Sequence, residues 1–207
     1  MKNLLFLILI SWGLSLSAQK LTKEERELVR ENPTEMMRVF NRNNPSDSLI
    51  LKSLSTPIKA NHKLTQLLAD RMLLSVKHEG GVGIAAPQVG INRRMFWVQR
   101  FDKAQRPFEL FINPEILWAS DLMQKGSEGD LSFDERGFVM RNYAIQIQYE
   151  DLKGEIKTEI LEGFTSVIFQ HERDHLDGIL LTDRIKEQEN MIFEQASEKS
   201  DLYFLKN

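Results

Sequence analysis

Apolar and polar positions along the chain alternate in two distinct periods. Between His62 and His78, the positions Leu64, Leu67, Leu68, Arg71, Met72, Leu74 and Ser75 make a mostly apolar stripe at helical spacing, which Gly80-Gly81 stops. Short β-branched or aromatic runs follow at Met95–Gln99, Glu109–Ile112, Ile145–Tyr149 and Glu155–Ile160, bounded by turn signals such as Asn113-Pro114 and Lys153-Gly154. The helical period returns from Gly163 to Leu176, and a polar surface helix is predicted over Lys186–Glu198. Before these elements, Leu21–Arg42 is helical in pattern and highly charged. Thr22 and Glu25 form a capping box, and Pro33 opens a second helix carrying Met36, Met37, Val39 and Phe40. Asn41–Ser48, with Pro45, is a polar link. Helix, strands, helix, without βαβ alternation or an internal repeat, predicts an α+β fold.

The N-terminus follows neither period. Lys2, the apolar run Leu4–Leu16 and then Ser17-Ala18-Gln19 form a secretory signal pattern with cleavage near Ala18, shorter than the ~20 residues of a membrane span. The organisation is then a signal peptide over 1–18, a helical extension over 19–45, a main domain over 46–185, and a C-terminal helix and tail over 186–207. Export to the periplasm or medium is expected, with no stable membrane span after cleavage. Composition adds exclusions. A chain of 207 residues with 42% apolar positions can bury a real core. Having no cysteine, it excludes disulfides, thiolate metal sites and thiol catalysis. A net charge of −3 advertises no nucleic-acid partner, and Arg93, Arg94 and Arg100 are too few for an anionic polymer. Oligomeric state leaves no signature.

Chemistry concentrates at His171-Glu172-Arg173-Asp174-His175. Residues i and i+4 share a helix face, so both imidazoles can bind one cation, with Glu172 beside the first ligand as general base. Chance supplies this motif in roughly 0.005 chains of this composition, so a merely salt-bridged helix face is the weaker reading. Phe164, Ile168 and Phe169 form the apolar face that buries the helix. His62 and His78 are surface or cap residues, and Met36, Met37 and Phe193 are packing. Two further stretches stand out. One is the small-residue turn Gly81-Val82-Gly83-Ile84-Ala85-Ala86-Pro87-Gln88, which lacks the spacing of a phosphate loop. The other is Glu128-Gly129-Asp130-Leu131-Ser132.

In order, Gly83–Gln88, Glu128–Ser132 and Gln170–Gly178 resemble the three signature motifs of the peptide deformylases, and the likeness runs from about Ser48 to Ile185. Asn113-Pro114, Arg141 and Gly178-Ile179-Leu180 also match family positions. The resemblance implies three antiparallel sheets around a central helix bearing one divalent metal ion, Fe2+ or Zn2+. It also implies hydrolysis of the formyl group from N-formylmethionyl peptides. His171 and His175 would be metal ligands and Glu172 the general base. Gln88 (side chain) and Leu131 (main-chain N–H) would donate to the oxyanion, and Gly83 and Ile84 would border the substrate. A formyl hydrogen would fit beside the metal where an acetyl methyl would not.

The family's third ligand is a cysteine, and Asp130 stands at that position. Three readings follow: Asp130 completes a two-histidine, one-carboxylate set; it fills the open position as a bidentate ligand and blunts activity; or the site holds no metal and the fold serves as a peptide-binding protein of the envelope. Retention of Gln88, Glu172 and both histidines argues against the third. Phe133-Asp134 replaces an apolar residue and proline, and Val167 stands where arginine is common. A zincin-type metallopeptidase shares the His-Glu-x-x-His pattern, with its third ligand downstream. Export adds that the substrate is a released formyl peptide or another N-acylated small molecule.

Overall fold

The computed structural model describes residues 18–206, so the expected leader up to Ser17 lies outside the described residues. Helix α1 (Lys23–Arg30) begins at the capping box, with the Glu25 N–H donating to Thr22 Oγ1 and the Thr22 N–H to Glu25. The helix expected from Pro33 does not form. Met36–Asn41 belongs to no helix or strand, and its main-chain groups are taken by neighbours remote in sequence. The Met37 N–H donates to Ser75 Oγ (2.9 Å), the Phe40 N–H to the Gln88 carbonyl (2.8 Å) and the Arg42 N–H to the Ser132 carbonyl (3.0 Å). The polar link in turn contains a helix, α2 (Pro45–Leu51), capped by Asn44 with proline in its first turn.

Helix α3 (Lys63–His78) has His62 as its N-cap, its Nδ1 accepting from the Leu64 N–H. Leu64, Leu68, Met72 and Val76 enter the core, while Leu74 is 43% exposed and leaves the predicted stripe. The two polar members of the stripe are buried for a reason. Arg71 donates to the carbonyls of Leu28, Val29 and Glu35, and the Ser75 hydroxyl donates to that of Met37. The N-terminal segment is thereby tied to the domain through its own main chain.

The strands are β1 (Gly83–Ala85), β2 (Met95–Gln99), β3 (Phe108–Ala119), β4 (Leu122–Asp130), β5 (Phe133–Asn142), β6 (Ala144–Glu150), β7 (Ile156–Glu162), β8 (Phe193–Gln195) and β9 (Leu202–Leu205). Among the described residues they form two antiparallel sheets rather than three, in the orders β1-β2-β3-β6-β7 and β5-β4-β9-β8. The α+β class holds. Asn113-Pro114 is a bulge within β3 and does not end it: Asn113 takes φ 49°, and its side chain bonds both main-chain groups of Ile58.

Helix α4 (Gly163–Leu176) packs across both sheets. Phe169 stands edge-on to Phe96 (centroids 4.9 Å apart) and to Phe111 (5.1 Å), a seat worth about 1.5–3 kcal/mol of apolar burial per ring. Phe164 is 46% exposed, so the expected apolar face of α4 rests on Ile168 and Phe169. The helix expected over Lys186–Glu198 is also corrected. Helix α5 (Leu181–Gln188) crosses the expected boundary at 185, and the tail returns as the β8–β9 hairpin on β4. Gln188 ends α5 there because its side chain bonds both main-chain groups of Met140.

Candidate metal centre

Three chain segments deliver the site. Strand β4 places Glu128 and Asp130 on one face through its two-residue period. At its end the register with β5 changes from Gly129↔Arg136 to Asp130↔Phe133. Asp134 and Glu135 are thus looped out of β5, and the bulge turns Asp130 toward α4. Helix α4 supplies His171 and His175, one turn apart, with ring centroids 5.0 Å apart. Strand β1 and the 3-10 turn Ala86–Val89 supply Gly83 and Gln88.

Donor atoms of Asp130, His171 and His175 lie within 4.8 Å of one another. Asp130 Oδ2 is 3.3 Å from His175 Nε2 and 3.9 Å from His171 Nε2. The Asp130 side chain is fully buried, His175 is 1% exposed, and neither Asp130 Oδ2 nor His175 Nε2 has a hydrogen-bond partner. Buried polar atoms left without partners, converging from a carboxylate and two imidazoles, are a donor set suited to one divalent cation. No carboxylate downstream of His175 joins the group among the described residues, which removes the zincin arrangement.

Neighbouring groups hold these donors in place. Glu128 Oε2 lies 2.9 Å from His171 Nδ1, so the imidazole turns Nε2 toward Asp130. Arg141 holds Glu128 through two bonds of 2.9 and 2.8 Å and reaches Asp174 on α4 at 2.6 Å, and Arg184 of α5 closes on Asp174. Sequence reasoning placed Glu128 and Arg141 in family motifs without a role. Glu128 was findable as the residue two before Asp130, on the same strand face.

Electrostatics follows from burial and charge. Burial pulls the His171 imidazole down, yet the Glu128 hydrogen bond and the Glu172, Asp130 and Glu128 carboxylates push it up to about 9. Burial works to raise the Asp130 carboxyl, but His175, His171 and the Ser132 N–H hold it at about 2. Burial pushes Glu172 up to about 7 against the pull of the two histidines. Glu172 Oε2 is buried without a partner. A carboxylate in that range can both take and return a proton near neutrality.

The site opens to a cleft of about 460 Å³ lined by Gly83, Gln88, Leu131, Val167, His171 and Glu172, among others. The Leu131 N–H donates to no acceptor among the described residues. Gln88 is engaged: its Oε1 accepts from the Ala85 N–H (2.9 Å), and its Nε2 lies 3.1 Å from Asp130 Oδ1 and 3.4 Å from Ser132 Oγ. Ile84 does not border the cleft with its side chain, which is fully buried in the core. The Gln99 N–H to Val82 carbonyl bond sets the phase of the β1–β2 ladder, so the main chain of Ile84 faces Trp97 and that of Gly83 faces the free edge of the sheet.

The family model described as polypeptide deformylase matches residues 36–191. The peptide deformylase of Thermotoga neapolitana is 38% identical over 144 residues, 69% of this chain and 85% of that protein. A protein named peptide deformylase-like from Brucella melitensis is 36% identical over 139 residues, 65% and 82% of the two chains. Among solved structures, the Met-Ala-Ser-bound class I type b peptide deformylase of Acinetobacter baumannii superposes with a TM-score of 0.65 at 38% identity, covering 72% of this chain and 98% of its own. The crystal structure of the peptide deformylase from Thermotoga maritima gives 0.65 at 34% identity, covering 72% and 97%.

Proposed function

The chain belongs to the polypeptide deformylase family, a family of hydrolases, and from that premise we propose that it hydrolyses the formyl group of N-formylmethionyl peptides with one divalent cation held by Asp130, His171 and His175. The observation that carries the reading is that three buried atoms are left unpartnered, Asp130 Oδ2, His175 Nε2 and Glu172 Oε2, with Asp130 and Glu172 lining one cleft and His175 gathered with Asp130 and His171. A formamide is a poor electrophile, and the cation, Fe2+ or Zn2+ by the donor set, supplies carbonyl polarisation and acidifies water.

The chain's own groups do the rest. The free main-chain edge at Gly83 can pair with an extended peptide, and Val167 and Ile168 offer its first side chain an apolar wall. Glu172 takes a proton from the attacking water as the water oxygen bonds to the formyl carbon. The Leu131 N–H is free to donate to the oxygen that gains charge. Collapse breaks the C–N bond, and Glu172 returns its proton to the leaving amine, giving formate and a free N-terminus. Among relatives, the Acinetobacter baumannii enzyme is known bound to Met-Ala-Ser, a peptide of the product type. Other N-acylated small substrates fit only where the acyl group is as small as formyl.

Purified protein loaded with Fe2+, Zn2+ or Co2+ should release formate from formyl-Met peptides and leave acetyl-Met peptides intact. Glu172→Gln should lower kcat about 10²–10⁴-fold. Turnover no faster with metal than without it would overturn the proposal. Export belongs to the same reading. It is supported by Lys2 and the apolar run Leu4–Leu16, and it makes released formyl peptides the substrate pool.

A further inference from the structure

We infer that Gln88 is a positioning residue for the metal ligand Asp130, holding one carboxylate oxygen aside so that the other alone faces the two imidazoles. The inference rests on the divalent-cation reading above. Its starting point is the division of labour between the two oxygens. Asp130 Oδ1 accepts from the Ser132 N–H at 2.8 Å and from Gln88 Nε2 at 3.1 Å. Asp130 Oδ2 accepts nothing and lies 3.3 Å from His175 Nε2. A carboxylate free to turn offers a cation both oxygens. One whose first oxygen carries two donors offers the second.

The orientation of Gln88 is determined by its surroundings. Its Oε1 accepts from the Ala85 N–H at 2.9 Å, which leaves the amide nitrogen facing Asp130. Its main-chain carbonyl takes the Phe40 N–H, and the Ser132 carbonyl takes the Arg42 N–H. One segment, Phe40–Arg42, therefore holds both the turn that carries Gln88 and the turn that carries the Ser132 N–H. The two donors onto Oδ1 are thereby both held in place.

This arrangement answers a problem specific to an aspartate at position 130. A thiolate has a single donor atom and needs no such restraint. A carboxylate has two, and a second metal–oxygen bond would fill the position that water or substrate must enter. Restraining Oδ1 keeps that position open. It also commits one N–H of the Gln88 amide to Asp130, the other lying toward Ser132 Oγ at 3.4 Å, while the Leu131 N–H keeps no acceptor among the described residues.

The test is a double-mutant cycle on the whole purified protein, read by the visible spectrum of bound Co2+ and by its Kd from chelator competition. Gln88→Met keeps side-chain length and removes the donor. In the Asp130 protein it should lower the Co2+ absorption by about twofold or more as coordination number rises. It should also shift the Kd by about 10-fold, the low end of the effect of removing a ligand's hydrogen-bond partner. In an Asp130→Cys background the same change should leave the spectrum unaltered and move the Kd by less than about threefold, since no second oxygen is released. Thermal melting of each variant separates this from loss of fold. Equal shifts in both backgrounds, or none in either, would overturn the role of Gln88 while leaving the metal centre intact. Failure of the unmutated protein to bind Co2+ would overturn the metal-centre reading, and this assignment with it.

Discussion

A Cβ on Gly83 would overlap Oε1 of Glu172 and stand 2.8 Å from its Cδ. The glycine is therefore needed for the space it leaves. Glu172 occupies that space, buried, with Oε2 unpartnered. Gly83→Ala should push the carboxylate off its position and lower kcat by about 10²-fold, the usual cost of misplacing a catalytic group by an ångström. Formyl-peptide kinetics and a Co2+ titration on the same variant check this. Metal affinity should change little, because the three ligands are untouched, and a large loss of metal would point to a wider disturbance. The sequence placed Gly83 and Glu172 in two separate motifs. Their contact became visible only when β1 was laid against α4.

At the scale of elements, β4 and α4 differ in how much of them could be read. Helix α4 carries its signal in its period, with Phe169 and His171–His175 at helical spacing, and its bounds agree with expectation. Strand β4, Leu-Met-Gln-Lys-Gly-Ser-Glu-Gly-Asp, has no apolar alternation. Its pairing is supplied by β5 and β9, and its inward face carries Glu128, whose burial is compensated by Arg141 and His171. Arg100 shows the same tertiary compensation at the other end of the helix. It is 1% exposed and binds Asp102, Glu109 of β3 and Glu159 of β7, while Asp102 accepts from Thr165 in the first turn of α4. The Arg100 guanidinium holds the Asp102 carboxyl down at about 2 against the opposing effect of burial. A carboxyl depressed in the folded state contributes stability that is present above its ordinary value of 3.8 and lost as pH falls toward 2. Asp102→Asn should therefore remove about 1 kcal/mol above pH 4, after allowance for solvent screening, and flatten the loss of stability between pH 4 and 2. Urea unfolding across that range checks both slope and sign. A variant with an unchanged acid limb would show that the pair contributes nothing net.

Over the whole molecule, the segment that follows the expected cleavage site is tethered to the domain. The Gln19 N–H donates to the Pro57 carbonyl at 3.0 Å, and Gln19 pairs with Ile58 in a parallel bridge. From there α1 packs on α3, and the segment Met36–Arg42 spans the Gln88 turn and the Ser132 turn. Cleavage near Ala18 would leave all of these contacts in place. Fractionation of producing cells should then recover a protein whose mass begins near Gln19 outside the cytosol. Recovery of the unprocessed chain in the cytosol alone would overturn export. No helix among the described residues is long and apolar enough to cross a membrane.

The order of helical and strand periods was sufficient for the α+β class, and helical spacing for His171 and His175 as a candidate ligand pair, whereas the family and the candidacy of Asp130 came from the resemblance of three motifs. Those are properties of composition and local period, which a chain carries before it folds. Tertiary structure decided the rest. The segment from Pro33 is a turn followed by irregular chain, with Ser75 and Gln88 binding its main chain, and the C-terminal tail is a hairpin because β4 offers it an edge. Asp130 presents one oxygen because Ser132 and Gln88 hold the other. Each of these outcomes depends on a hydrogen-bond partner distant in sequence, and a local pattern carries no information about which distant group will arrive.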